Sequence, residues 1–369
     1  MSGRAASTGP SGLIVIDKPA GLTSHQVVGR CRRLYATRRV GHAGTLDPMA
    51  TGVLIIGVNR ATRLLGRLAL HDKSYTATIR LGSSTVTDDA SGEVLTSADA
   101  SGLADAAVEA AVAALRGPIM QVPSAVSAIK VNGRRSHARV RAGERVELAA
   151  RPVTVDEFTV LGRRSHDGLT DLDVVVTCSS GTYVRALARD LGSALGVGGH
   201  LTALRRTRIG GHRIEDAWAL PDPDDPEAVA PPLMSMADAA RISLPVLDID
   251  ADQCVAVGHG AALPIDVPAG PTGLIDPQGR LVALYRPDGP GRARPVAVLI
   301  ARGGGAGRAN GAAPPHARTA PRSLSSSPTG RSPRRRRCAP ARTGARSSAR
   351  ARDAPGGAVA RTCRTPTRR

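Results

Sequence analysis

The chain has 369 residues, enough for two or three domains at roughly 100 to 200 residues each. Its net charge of +19 is unevenly placed: 16 of the 50 Lys and Arg, but only one of the 31 acids, lie from Gly303 to Arg369, so that segment holds +15 and residues 1–302 hold +4. The apolar content of the first 302 residues excludes a wholly disordered polycation, and the longest apolar runs, such as Val53 to Ile56, fall far short of the ~20 residues a membrane helix needs. Residues 1–11 lack the apolar core of a secretory signal and read as a disordered lead-in. Leu13 to Ile16 is a short β-branched run that predicts a buried strand. Thr23 and Ser24 then offer N-cap oxygens to a helix in which Val27, Val28, Cys31 and Leu34 recur at helical spacing. A Gly/Thr/Pro-rich loop from Gly41 to Gly52 feeds a buried strand at Val53 to Val58, and Tyr75 to Leu81 alternates as a strand should.

Further along, Leu103 to Leu115 predicts a surface helix, and Val153 to Leu161 and Leu169 to Thr177 predict two strands around the turn RRSHDG. Gly181 and Thr182 open another helix, striped by Val184, Leu187, Leu191 and Leu195, with Arg185 and Arg189 together off that stripe. After a Pro-rich acidic connection at Pro221 to Pro232, the short apolar runs from Leu244 to Ala301 predict a small β-barrel or sandwich. From Gly303 periodicity is lost and composition predicts disorder. That segment either adds sequence-independent affinity for nucleic acid or is an unselected translation of GC-rich DNA, as after a frameshift.

Five widely spaced cysteines, with no CxxC and no Cys/His pairing at finger-like intervals, predict neither a disulfide framework nor a structural zinc and suit a reduced cytoplasm. Against 47 Arg there are three Lys, namely Lys18, Lys73 and Lys130, each in a distinctive context: DKP, DKSY and SAIKVNG. Such bias retains lysine where a compact ammonium is wanted, or leaves it as a surface remnant. The loop RVGHAGTLDPMATGVL places one carboxylate, Asp47, among glycines that permit close backbone approach and directly before Pro48, which stiffens the next turn of chain. A carboxylate so framed either caps a turn or is presented at the bottom of a cleft.

Six segments in order, LIVIDKPAGLTSHQVV, RRVGHAGTLDPMATGVLIIGVNRATRLL, KSYTATIRLGSSTVTDDASGEV, QVPSAVSAIKVNGRRSHARVRAG, CSSGTYVRALARDLG and GGHLTALRRTRIG, resemble the bacterial TruB family of tRNA pseudouridine synthases. The resemblance spans most of residues 12–220 and implies an α/β (α+β) fold: a mixed-sheet catalytic domain over 12–240, with a thumb-like segment at about 121–150, and a small PUA-like β-domain over 244–302. It implies isomerisation of uridine 55 in the tRNA T loop by base flipping, aspartate-dependent glycosidic cleavage and reattachment through C5, with no cofactor and no metal. The alternatives are a non-catalytic RNA-binding or tRNA-folding protein on the same scaffold, or a synthase for another RNA uridine.

By this resemblance Asp47 is the catalytic carboxylate, attacking the sugar C1′ or base C6 or assisting glycal formation, and Arg185 pairs with it. Tyr75 stacks on the extruded uracil and assists the C5 proton transfer. His42 fills the space the base vacates, Tyr183 and Leu204 wall the pocket, Lys18 lines the site and Lys130 grips RNA from the thumb. His137 stands where the family has a tyrosine, a departure in the thumb. The implied partner is the tRNA T stem-loop, met by a cytoplasmic monomer that needs neither a membrane nor an obligatory protein partner.

Overall fold

The computed structural model describes residues 9–127, 144 and 148–300, with backbone alone at 130–131 and 134–135. In chain order the elements begin β1 (Gly12–Lys18), α1 (Ser24–Leu34), β2 (Val40–Ala43), β3 (Thr51–Val58), α2 (Leu65–Leu68), β4 (Lys73–Leu81), β5 (Ser83–Thr85), β6 (Val94–Ser97), α3 (Asp105–Ala113) and β7 (Gly117–Gln121). They continue with β8 (Lys130–Val131), β9 (Arg134–Arg135), β10 (Arg151–His166), β11 (Leu169–Cys178), α4 (Val184–Ala194), β12 (Gly199–Ile209), β13 (His212–Arg213) and β14 (Trp218–Ala219). Last come α5 (Met236–Ser243), β15 (Val246–Asp248), α6 (Ala251–His259), β16 (Thr272–Ile275), β17 (Leu281–Pro287) and β18 (Ala293–Val298).

One mixed sheet runs β14-β1-β3-β12-β4-β11-β10-β7, with β2 paired to β3 and β13 to β12. Its centre is the seam where β3 meets β12 in parallel, Thr51 opposite Arg205 and Gly52 opposite Arg206. The run VLIIGV is apolar throughout because both its faces are covered. Leu54, Ile56 and Val58 pack with Val27, Val28 and Cys31 of α1, whereas Val53 and Ile55 pack with Leu64, Leu65 and Leu68 and with alanines of α5. Further across the sheet, Ala77, Ile79 and Leu81 of β4 join Leu172, Val174 and Val176 of β11 under Leu187 and Leu191 of α4. The helix start at α1 is fixed by a capping box: Gln26 N donates to Thr23 Oγ1 (3.1 Å) and Thr23 N to Gln26 Oε1 (2.8 Å).

Several expectations shift. The Gly41–Gly52 loop is shorter than its composition suggested, because Val40 to Ala43 pairs with β3, His42 lying opposite Ile56. RRSHDG turns only at Asp167 and Gly168, whose φ of 50° and 77° make a tight hairpin, so β10 continues through Arg163 to His166. The register of β10 shifts between Val155 and Glu157 and between Val160 and Gly162, irregularities that obscure its period.

The C-terminal part is neither barrel nor sandwich. It is one four-stranded sheet, β15-β16-β17-β18, and helices supply the cover that a second sheet would. Val257 of α6 packs with Leu274, Val282 and Tyr285, while Ile275, Leu281 and Leu284 join the cluster that holds α5. Asp250 and Gln253 form a second capping box that starts α6, and Gly260 at φ 75° ends it. The Lys130 side chain, His137 and residues 301–369 lie outside the described residues, as does most of the thumb-like segment.

Candidate active site

Asp47 lies in the crossing 44–50 between β2 and β3, and every backbone carbonyl from Gly44 to Pro48 has a partner. Arg206 Nη2 donates to Gly44 O (3.2 Å) and Nη1 to Thr45 O (3.3 Å). Ser24 Oγ donates to Leu46 O (3.1 Å) and accepts from Leu46 N (2.8 Å). Asp47 O accepts from Ala50 N (3.1 Å), and Pro48 O accepts from Gly21 N (2.8 Å) and Lys18 Nζ (3.3 Å). A loop without regular structure thereby behaves as a rigid element, which is what a precisely aimed side chain requires.

The half-buried Asp47 carboxylate meets Arg185 in a two-point pair: Nε donates to Oδ2 at 2.9 Å and Nη2 to Oδ1 at 3.3 Å. Arg185 is 4% exposed and is itself held on its far side. Nη1 donates to Thr87 O (2.6 Å) and lies 3.6 Å from Asp89 Oδ2, and Nη2 also donates to Val126 O (2.9 Å). One turn on, Arg189 pairs with Asp88 at 3.4 Å and donates to Val122 O at 2.7 Å. The TDDAS loop and α4 are thus joined through both arginines that stood off the apolar stripe. The start of α4 is anchored from the sheet edge, where Gln121 Oε1 accepts from Tyr183 N (2.9 Å) and Gln121 Nε2 donates to Tyr183 O (3.1 Å).

These elements enclose a cavity of about 290 Å³ whose wall includes Asp47, Lys73, Tyr75, Tyr183, Arg185, Leu204 and Arg206. Burial pushes the Tyr75 hydroxyl above its ordinary value, and it does the same to Tyr183, so both present neutral, flat walls. The cavity joins one carboxylate to aromatic and apolar surface, a shape and polarity suited to a planar base with a sugar beside the acid.

Asp47, Tyr75, Arg185, Tyr183 and Leu204 share this wall. His42 does not reach the cavity wall. It sits on β2 with a buried Nδ1 that has no hydrogen-bond partner among the described residues, and burial, Arg206 and His25 lower its pKa. Lys18 is also not in the wall: it is fully buried, and its ammonium donates to Pro19 O (2.8 Å), Leu22 O (2.7 Å) and Pro48 O. Burial brings it down to about 8 against the opposing pull of Asp47. It clamps the aspartate loop from below and does not line the site.

Two wall residues are not evident from sequence. Lys73 stands out as one of three lysines without being placed in the site; Arg206 is one of many arginines. The signal for Arg206 is its spacing from Leu204, which puts a cation on the buried face of β12, where it is 1% exposed. Its Nε donates to Val53 O at 2.8 Å.

Three family descriptions match the chain: TruB family pseudouridylate synthase, N-terminal domain, over residues 32–184; tRNA pseudouridylate synthase B C-terminal domain over 185–225; and tRNA pseudouridine synthase II, C terminal, over 244–300. A tRNA pseudouridine synthase B of Cutibacterium acnes is 59% identical over 292 residues, 79% of this chain and 98% of that protein. One of Mycolicibacterium paratuberculosis is 57% identical over 291 residues, with 79% and 98% covered. Among solved structures, a chain of a Cbf5-Nop10-Gar1 complex aligns with a TM-score of 0.59 and 26% identity, over 79% of this chain and 85% of that one. With this identity extending over nearly the whole length of its relatives, the chain belongs to the TruB family of pseudouridylate synthases.

Proposed function

We propose that the protein converts uridine 55 in the T loop of tRNA to pseudouridine, with Asp47 as the reacting carboxylate. The observation that carries this reading is the two-point Asp47–Arg185 pair at a cavity walled by Tyr75, Tyr183 and Leu204. The names of its relatives, tRNA pseudouridine synthases B, supply the substrate class. The base must leave its stack to enter such a cavity, at a cost of a few kcal/mol. Tyr75 then stacks on the uracil near C5, while Tyr183 and Leu204 close the walls. His42 fills the vacated space in the T loop, the role the family resemblance gives it. Arg185 orients the carboxylate, which adds to C1′ or C6 or takes the C2′ proton. Lys18 fixes the loop, and Lys130 of the thumb grips RNA. Residues 12–240 serve as the catalytic part and 244–302 as the RNA-gripping part. Phosphate contacts supply affinity, and T-loop shape and the flipped base supply specificity.

The purified protein is expected to form one pseudouridine, at the T-loop uridine, in a T-stem-loop transcript mapped by nucleotide-resolution chemistry. Absence of product overturns the reading. Pseudouridine lost only at other positions from the total RNA of a deletion strain assigns the protein a different uridine. Arg185→Lys is expected to lower turnover by about 10²-fold or more with RNA affinity little changed, because one point charge cannot reproduce the forked contacts to Asp47, Thr87 and Val126. Single-turnover kinetics at saturating RNA reads that split.

A further inference from the structure

Beside the Asp47–Arg185 pair the cavity wall carries two more cations, Lys73 and Arg206. Both flank Gly44: a Cβ placed there would lie 3.7 Å from Lys73 Cε and 3.8 Å from Arg206 Nη1. Arg206 is engaged by the carbonyls of Gly44, Thr45 and Val53. The Lys73 ammonium donates to Ala69 O (3.0 Å) and His71 O (2.6 Å), two acceptors for three N–H groups. Neither cation forms an ion pair among the described residues, and Asp72, the carboxylate adjoining Lys73 in sequence, is bound to Arg208 at 2.6 Å. Burial and the neighbouring Arg206 bring Lys73 down to about 8, so it remains charged at neutral pH.

Two buried, like-charged groups in one wall, neither of them in an ion pair among the described residues, are costly at rest, a cost that Asp72 only partly offsets at Lys73. They become favourable when negative charge enters between the walls. Uridine is neutral, but on the reading of Asp47 proposed above its base turns anionic during the reaction. If Asp47 takes C1′ as the C1′–N1 bond breaks, the electron pair goes to N1 and spreads over O2 and O4. If Asp47 takes the C2′ proton to form the glycal, the same pair leaves with the base. If Asp47 adds to C6, the C5=C6 pair moves toward O4 as an enolate. In each case the charge is discharged as C5 bonds to C1′: Asp47 leaves C1′, or returns its proton to C2′, or, in the C6 route, C1′ passes from N1 to C5 and Asp47 is then eliminated from C6. The C5 proton is lost and N1 is protonated, with no net oxidation.

We propose that the Lys73 ammonium, backed by Arg206, donates a hydrogen bond to the uracil oxygen on which this negative charge accumulates. A donor aimed at developing charge in a water-poor cavity stabilises the transition state more than the neutral bound base, so its loss falls on the rate and not on binding. The rival use of such a cation, gripping a backbone phosphate, falls instead on affinity.

The test compares Lys73→Met, Lys73→Gln and Lys73→Arg in the full chain, using a T-stem-loop transcript. Single-turnover rates are measured at saturating RNA, Kd by filter binding and folding by thermal melting. Met and Gln are expected to slow the reaction by about 10²- to 10³-fold with Kd within about threefold of wild type, and Arg to keep the rate within about tenfold. A Met or Gln variant that melts normally and reacts within tenfold of wild type overturns the proposal, whether or not Kd rises. Equal losses for the Arg and Gln variants overturn it as well, since charge would then be irrelevant. Gln keeps neutral N–H donors on a polar side chain, which keeps the comparison available if Met unfolds the chain. Wild-type protein that forms no pseudouridine would instead defeat the proposed function itself.

Discussion

Asp47→Asn is expected to abolish pseudouridine formation, by about 10⁴-fold or more, in protein that stays folded and still binds RNA. The amide keeps the shape of the side chain but cannot act as nucleophile or base. It also turns one of the two acceptors facing Arg185 into a donor. Arg185 would remain held by Thr87 O, Val126 O and Asp89, and the loop would remain held by Arg206, Ser24, Gly21 and Lys18, none of which contacts the Asp47 carboxylate by hydrogen bond. The cost in stability should therefore be about 1.5–3 kcal/mol, the range for one broken hydrogen bond to a charged group. Product formation, Kd and the melting temperature together check this. Turnover within a hundredfold of wild type would remove Asp47 from the reaction. Restored tRNA modification in cells carrying the wild type, but not the Asn variant, would separate catalysis from assistance with tRNA folding.

The local sequence marked the carboxylate as unusual and left its role open, and the family resemblance, not a local pattern, made it catalytic and named its partner. Asp47 is an acid between glycines at the mouth of a buried strand, and Arg185 stands off an otherwise apolar helical stripe. The groups around them were not legible, because the stabilising partners are far away in sequence. In LTALRRTRI, Arg205, Arg206 and Arg208 interrupt the alternation that marks a strand. Their support comes from Asp17 at 2.7 Å, from the carbonyls of the Asp47 loop and from Asp72 at 2.6 Å, more than a hundred positions away in each case. A central strand rich in cations is physically sound only once those acceptors are in place, and no local window contains them. Lys18 illustrates the same limit from the other side. Its unusual context marked it correctly as special, yet only the fold reveals that its ammonium faces three carbonyls beneath the loop. The α6 helix was hidden differently, since DQCVAVGH is short and lies among strands whose apolar runs it resembles.

The largest expected loss of stability belongs to Gly52→Ala, outside the cavity wall. Gly52 has φ +101°, and a Cβ there would lie 2.2 Å from Arg206 O and 2.9 Å from Arg206 N and C. All three are backbone atoms of the paired strand, so no side-chain rotation relieves the overlap, and the backbone conformation is itself unfavourable to alanine. The strands must part where Gly52 and Arg206 sit opposite each other. Displacing β12 also carries the Arg206 guanidinium away from Gly44 O and Thr45 O, which loosens the loop that aims Asp47. A destabilisation of more than about 4 kcal/mol is expected, and at about 2–4 °C per kcal/mol it lowers Tm by roughly 8 °C or more. The fraction that still folds should react at least about 10²-fold more slowly, the cost of a misplaced reacting group. Gly29→Ala is the matched control: it lies within α1, nothing approaches the position of its Cβ within 4 Å, and helix propensity favours the change by about 0.5–1 kcal/mol. If Gly52→Ala melts and turns over like Gly29→Ala, the seam does not position the aspartate loop.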